Sequence, residues 1–367
     1  MALPDQRDQV EGDPGAYRRL AQALDDLPHG FPPTDIGIEL EILKILFTPE
    51  EARLAQGLSD QWETAEDIAR RLGLPSRRVA AVLRLMGRKE LVQGRTSGEV
   101  RQYRLNQFIV GSWETTMFRL KGEEAHRLAH LTEEYVMATG GLVGIMRPDP
   151  AIHRVIPAQS GVKTEWILPY DDVKAVLMEA ESFFLRDCVC RKAQDLLGKR
   201  QCSFTRRACL SFSPFPRPPG QDSISRDEAL AFIDEAEREG LVHTVSNVAT
   251  GINAVCNCCG CCCGILRGIV EFGVNRSVAH ANYVVVLDES SCSACGLCRE
   301  RCHVGAIELT EGEVHIDRVR CIGCGLCASS CPSQALEMQL KPPDEILHPP
   351  GDLASWERLR RANRTAD

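Results

Sequence analysis

Near the C-terminus, cysteine is spaced for metal ligation twice over. The segment "CSACGLCRERC" supplies Cys292, Cys295, Cys298 and Cys302, and "CIGCGLCASSCP" supplies Cys321, Cys324, Cys327 and Cys331. Each reads C-x2-C-x2-C-x3-C, and the second repeats the first at an offset of 29 residues, from 292 to 321. Ten more cysteines lie upstream: Cys188, Cys190, Cys202 and Cys209, then Cys256, Cys258, Cys259, Cys261, Cys262 and Cys263 within "CNCCGCCCG". None precedes Cys188, so a cysteine-free module is followed by a metal-loaded one. In a reducing compartment such thiols bind metal or do redox chemistry rather than form disulfides.

The double motif resembles the bacterial-type dicluster ferredoxin, over about residues 281 to 340. Three thiolates at i, i+3 and i+6 let one tight loop grip three irons of a [4Fe–4S] cube, and the fourth comes across from the other half. The resemblance implies Cys292, Cys295, Cys298 and Cys331 on one cluster, and Cys321, Cys324, Cys327 and Cys302 on the other. Gly296, Gly323 and Gly325 suit loops whose N–H groups turn toward an anionic cluster, and "YVVVLD" and "EVHID" supply short strands. Eight ligands in this double spacing favour clusters over zinc. One position departs from the family pattern: Pro332 follows Cys331, but His303 follows Cys302. It reads as a tolerated substitution or as a hydrogen-bond donor that makes the cluster potential sensitive to pH.

In the middle region, adjacent cysteines point to opposite sides of a strand and diverge by about 100° in a helix. Cys258 and Cys259, or Cys262 and Cys263, are therefore not expected to wrap one cube together. The two upstream groups together are expected to hold at least one further iron–sulfur cluster, the alternatives being structural zinc or an unmetallated thiol relay. The layout resembles an anaerobe-type family of iron–sulfur proteins in which a "CVCR" segment and a "CNCC-CCC" segment precede a dicluster end. The doubled Cys-Cys-Gly (258–260 and 262–264) is similar to the motifs of heterodisulfide reductase catalytic subunits, without that family's long flanking spacings.

These cysteines need elements to position them. "YDDVKAVLMEAESFFLRDCVCR" reads as a helix capped at Asp171 or Asp172 and delivering Cys188 and Cys190. "SISRDEALAFIDEAEREGLVH" reads as another, with Ser225 and Glu228 as a capping box and Gly240 as its stop. The region 116–280 is thus expected to be mostly helical. Upstream, "IGIELEILKILF" places Ile38, Ile42, Ile45 and Leu46 on one helical face. "TAEDIARRLG" has a capping-box spacing at Thr64 and Asp67, and "PSRRVAAVLRLMGRKELV" turns Val79, Val82, Leu83 and Met86 inward. "QGRTSGEVRQYRL" reads as strand, turn and strand. The order resembles a winged helix-turn-helix over roughly residues 35 to 110. Between Thr64 and Leu105 there are ten Lys or Arg against four Asp or Glu. Arg77 and Arg78 would open the recognition helix and Arg95, Arg101 and Arg104 would lie on the wing, which fits either phosphate contact with DNA or protein docking.

The expected organisation is α+β: a polar lead (1–33), the winged helix-turn-helix (34–115), the cysteine-rich middle (116–280), the ferredoxin-like dicluster domain (281–340) and an exposed tail helix (341–367). A net charge of −8 with 44% hydrophobic and 26% charged residues argues against nucleic-acid or anionic-membrane binding by the whole chain. No apolar run spans a bilayer, and the polar, acidic N-terminus reads as neither signal nor transit peptide, so a cytoplasmic chain is expected. His243, His280 and His315 read as surface or core residues, and Trp113 and Trp166 as packing. No glycine-rich nucleotide loop is present. The leading expectation is an electron carrier between a redox donor and an acceptor protein, with two [4Fe–4S] clusters and a further centre. A redox-sensing DNA-binding regulator and a reductase with an open middle cluster are the alternatives.

Overall fold

The computed structural model describes residues 15–138 and 142–364. They form two units, the first ending at Ile145 and the second beginning at Met146. The part of the expected polar lead before residue 15 lies outside the described residues.

The first unit opens with α1 (Ala16–Asp25), α2 (Ile38–Leu46) and α3 (Pro49–Ala55), the last capped by a reciprocal Thr48–Glu51 box. The lead is not merely polar: Leu20 and Leu24 of α1 are buried, and Phe31 after it packs on Phe108 and Tyr135. Next come β1 (Glu63–Thr64), α4 (Ala65–Leu72), α5 (Ser76–Arg88), β2 (Val92–Ser97) and β3 (Val100–Leu105). Thr64 caps α4 through the Asp67 N–H, and Gly73 ends it in the left-handed conformation. The expected inward face of α5, Val79, Val82, Leu83 and Met86, is buried. The sheet order is β1-β3-β2, all antiparallel. The unit also holds α6 (Trp113–Arg119) and α7 (Gly122–Met137), which packs against α2 and buries Leu128, Ala129 and Thr132. A short α8 (Leu142–Met146) carries the division between the units.

The second unit corrects the expectation of a mostly helical middle. Six strands form one antiparallel sheet in the order β4-β8-β9-β6-β5-β7. They are β4 (His153–Ile156), β5 (Ser182–Asp187), β6 (Arg207–Ser213), β7 (Ser223–Ile224), β8 (Val242–Ser246) and β9 (Ala254–Cys258). Interspersed are α9 (Val173–Met178), α10 (Val189–Leu196), α11 (Arg226–Glu239) and α12 (Gly264–Val270). The run read as one long helix is helix, strand, helix. Asp172 caps α9, but "SFFLRD" alternates, with Phe183 and Leu185 buried, and that two-residue period suits a sheet rather than a helix face. α11 keeps its expected Ser225–Glu228 box and Gly240 stop.

The ferredoxin-like segment follows with β10 (Tyr283–Leu287), α13 (Leu297–Glu300), β11 (Ile307–Thr310), β12 (Glu313–Ile316), α14 (Leu326–Ser329) and β13 (Leu336–Leu340). β10 pairs with β13, and β11 with β12. The final helix α15 (Leu353–Arg364) is not an exposed tail. Trp356 and Arg360 are buried; the indole N–H donates to the Ala151 carbonyl at 2.9 Å, and Arg360 bonds the carbonyls of Pro148 and Pro150. No helix among the described residues is long and apolar enough to cross a membrane.

Candidate metal centres

The two C-terminal loops build two separate thiol cavities. One is lined by Cys292, Cys295, Cys298 and Cys331 together with Leu287, Val314 and Pro332. The other is lined by Cys302, Cys321, Cys324 and Cys327 with Ile322 and Met338. In each, three cysteines come from one loop and the fourth from the other repeat. α13 and α14, four residues each, present Cys298 and Cys327. Each begins after a glycine with positive φ, Gly296 at 80° and Gly325 at 77°, a conformation that costs a side chain but turns the loop tightly.

The donor sets suit anionic clusters. Backbone N–H groups already point at sulfur: Ala294 to Cys292 at 3.4 Å and Ala306 to Cys302 at 3.2 Å. The cavities differ in depth. Cys295 is exposed, whereas Cys327 is buried, and burial pushes the Cys324 thiol up to about 12. The cause is local: the second loop leans on the sheet body, with the Ala158 N–H donating to the Cys324 carbonyl at 2.8 Å and the Ala281 N–H to the Ile322 carbonyl at 3.0 Å.

A third group forms in the middle region. The sulfurs of Cys202, Cys259, Cys261 and Cys262 all lie within 4.8 Å of one another. Cys202 sits 3.8 Å from Cys259 and 3.9 Å from Cys262, and Cys261 lies 3.8 Å from Cys259 and 3.5 Å from Cys262. The turn after β9, in which the Cys263 N–H bonds the Cys259 carbonyl at 3.1 Å, folds three of these thiols inward. Cys202 arrives from the loop between α10 and β6. A tetrahedral ion with metal–sulfur bonds near 2.3 Å separates its ligands by about 3.8 Å, so this group fits a single metal ion. The expectation for these four thiols shifts accordingly from a cluster toward a mononuclear centre, because a cubane spreads its ligands over four irons. The neighbouring Cys262 is the main reason that the Cys259 thiol is held well below the usual thiol range; burial opposes the shift and Arg191 adds to it.

The remaining middle-region cysteines, Cys188, Cys190, Cys209, Cys256, Cys258 and Cys263, are not part of this group. Arg191, next to the Cys188–Cys190 pair, is a buried charge beside the thiols that composition alone did not single out, although "CVCR" holds it. It is 1% exposed, donates to the carbonyls of Thr205 and Asn257 at 2.9 Å each, and feels the charge of Cys259.

His303 links two of the sites. The Gly260 N–H donates to its Nδ1 at 3.2 Å, which leaves Nε2 to bond the Gly240 carbonyl at 2.6 Å. Its ring packs edge-on against Phe204, two residues from Cys202, at 5.6 Å. Burial pushes its pKa down, and both nitrogens are engaged away from Cys302. This replaces the reading of His303 as a donor to the cluster.

The basic candidates of the first unit are engaged with neighbours. Arg78 pairs with Glu50 at 2.8 Å, Arg95 and Arg104 stack on Trp62, and Arg101 lies over Tyr103; Arg77 is exposed at the first turn of α5. His243 is buried and bonds Asn257 at 2.7 Å, as a core residue does.

No curated protein and no solved structure matches the chain, but residues 291–335, the span of both C-terminal cysteine loops, match the family described as the 4Fe-4S dicluster domain.

Proposed function

We propose that the protein is a multi-centre electron carrier. Cys292, Cys295, Cys298 and Cys331 hold one [4Fe–4S] cluster, and Cys302, Cys321, Cys324 and Cys327 the other. Bound there, the clusters supply one-electron redox chemistry at potentials that the protein tunes. The shallow Cys295 side gives a donor protein close approach, while the sheet body shields the second site. The observation that carries the reading is the His303 bridge: the residue after Cys302 is bonded by Gly260 of the four-thiol turn and packed on Phe204 of the Cys202 loop. A single iron held by Cys202, Cys259, Cys261 and Cys262 makes that site a further one-electron station; zinc there makes it a brace.

The test is an anaerobic spectroelectrochemical titration of the full chain with metal analysis. Uptake of about two electrons by the dicluster sites supports the reading, and about one more is expected if the four-thiol site holds iron. A chain showing no redox transition between about −700 and +450 mV would overturn it.

A second reading has its own support. α4 and α5 beside the β1-β3-β2 sheet suit a winged helix-turn-helix, with exposed Arg77 at the end of α5 that meets bases in such domains. On this reading the metal centres regulate DNA binding. Gel-shift titration at low salt in both redox states, with Arg77→Ala as control, tests it; equal and salt-insensitive retention of wild type and variant removes it.

A further inference from the structure

We propose that Cys188, Cys190, Cys209, Cys256, Cys258 and Cys263 form a fourth metal site, a six-thiol pocket for an iron–sulfur cluster, on the other side of the cysteine-rich turn from the four-thiol ion site. The proposal does not depend on the electron-carrier reading.

Sheet register assembles half of the pocket. Cys209 of β6 pairs with Cys256 of β9, and Cys256 and Cys258 are two residues apart on the same strand. Paired residues in an antiparallel sheet share a face, so these three sulfurs stand on one side. Leu185, Leu210 and Val255, paired through the same strands, stand on the other. Two helix starts bring the rest: Cys188 is the residue before α10, Cys190 lies in its first turn, and Cys263 is the residue before α12.

The thiols meet in a continuous chain of contacts. Cys188 and Cys263 are the neighbours that perturb the Cys190 thiol most, and Cys256 and Cys263 those that perturb Cys258. Cys256 in turn feels the charges of Cys209 and Cys188, which closes the ring. Cys258 and Cys263 are buried and the other four half-buried. The doubled cysteines are thereby sorted: Cys258 and Cys263 turn to this pocket, while Cys259 and Cys262, their sequence neighbours, turn to the four-thiol group.

Arg191 supplies an observation independent of the thiols. It feels the charges of Cys259 in the one group and of Cys188 and Cys258 in the other, and its buried Nε has no hydrogen-bond partner. A buried guanidinium with an unused donor calls for an anionic acceptor, and sulfide or cluster-bound thiolate provides one. The chemistry also selects the class of ligand. Six thiolates exceed the four that a tetrahedral ion takes, and an all-sulfur donor set selects soft centres. Among the described residues, only the four-thiol group draws all its sulfurs within 4.8 Å, so the six-thiol set is the more open one, as a polynuclear cluster needs.

Acid-labile sulfide separates the sites, because a mononuclear ion carries none. The experiment is anaerobic purification of the full chain with iron, zinc and sulfide analysis and electron paramagnetic resonance of the reduced protein. About twelve sulfides per chain are expected, against about eight from the dicluster domain alone. Cys256→Ser/Cys258→Ser is expected to lose the excess sulfide, about one third of the total, while keeping the dicluster spectrum and the mononuclear ion. Cys259→Ser/Cys262→Ser is expected to lose the ion with sulfide unchanged. A wild-type value near eight sulfides overturns the proposal whatever the variants do, as does loss of the excess sulfide from the Cys259/Cys262 variant instead.

Discussion

Gly260 and Gly264 close the two Cys-Cys-Gly triplets, yet alanine is expected to act in opposite directions at them. A Cβ on Gly260 would be driven into the carbonyl oxygen of His303, a main-chain group that no rotamer change can move aside. Forcing one methyl group into such a contact costs about 1–3 kcal/mol. In a unit of this size each kcal/mol is worth roughly 2–4 °C, so Gly260→Ala is expected to lower the thermal midpoint by roughly 2–12 °C. The same shift pulls the turn away from the His303 ring, which weakens the Gly260-to-Nδ1 bond. At Gly264 nothing lies within 4 Å of an added Cβ, its φ is not left-handed, and the residue opens α12. Gly264→Ala is therefore expected to be neutral or to stabilise by up to about 1 kcal/mol, through a less flexible unfolded chain. Anaerobic calorimetry of the metal-loaded proteins compares the two. If Gly260→Ala melts with the wild type, or Gly264→Ala falls as far as Gly260→Ala, the packing argument is wrong.

Three other outcomes are expected. Trp356→Ala, which empties a fully buried indole site and removes one of the two hydrogen bonds to the Ala151 carbonyl, should cost about 3–5 kcal/mol, visible as a drop in thermal midpoint; an unchanged midpoint would restore the exposed-tail reading. Asp171→Asn leaves the buried Arg154 guanidinium, 2.5 Å from that carboxylate, without its counter-charge, and a loss of about 3–5 kcal/mol in denaturant titration is expected. Burial holds His153 down to about 4, below its unfolded value of about 6.5. Between those values the unfolded chain binds the extra proton, so stability is present above about pH 6.5 and is lost as pH falls toward 4, by on the order of 3 kcal/mol in full. Comparing wild type with His153→Gln from pH 7.5 to 5.5 checks this; parallel curves would contradict it.

The C-terminal half of the design could be read from spacing because ligand spacing is local: three cysteines at i, i+3 and i+6 share one loop. β10 and β12 coincide with "YVVVLD" and "EVHID", and the capping signals of α4 and α11 lie within one turn of their helices. The middle sheet was not legible because its pairing is long-range. Nothing near Cys209 announces that it will stand opposite Cys256, and the alternating burial of "SFFLRD" shows only once its neighbours β6 and β7 are known. The divergence of adjacent cysteines was readable from backbone geometry, but which thiol joined which group depended on Cys202 arriving from another loop. The buried roles of Arg191, Trp356 and Arg360 were hidden for a related reason. A charged or amphipathic residue in sequence carries no mark of the carbonyls that it will meet.

The alternation between Cys256 and Cys263 also makes this turn intolerant of changes in length. Adding or deleting one residue there would exchange the sides to which the following thiols point, and so rewire ligand sets without removing a single cysteine. The exposed, proline-containing stretch from 214 to 221 carries no such constraint. Insertions for labels or immobilisation belong there, while substitutions inside the turn should keep its residue count.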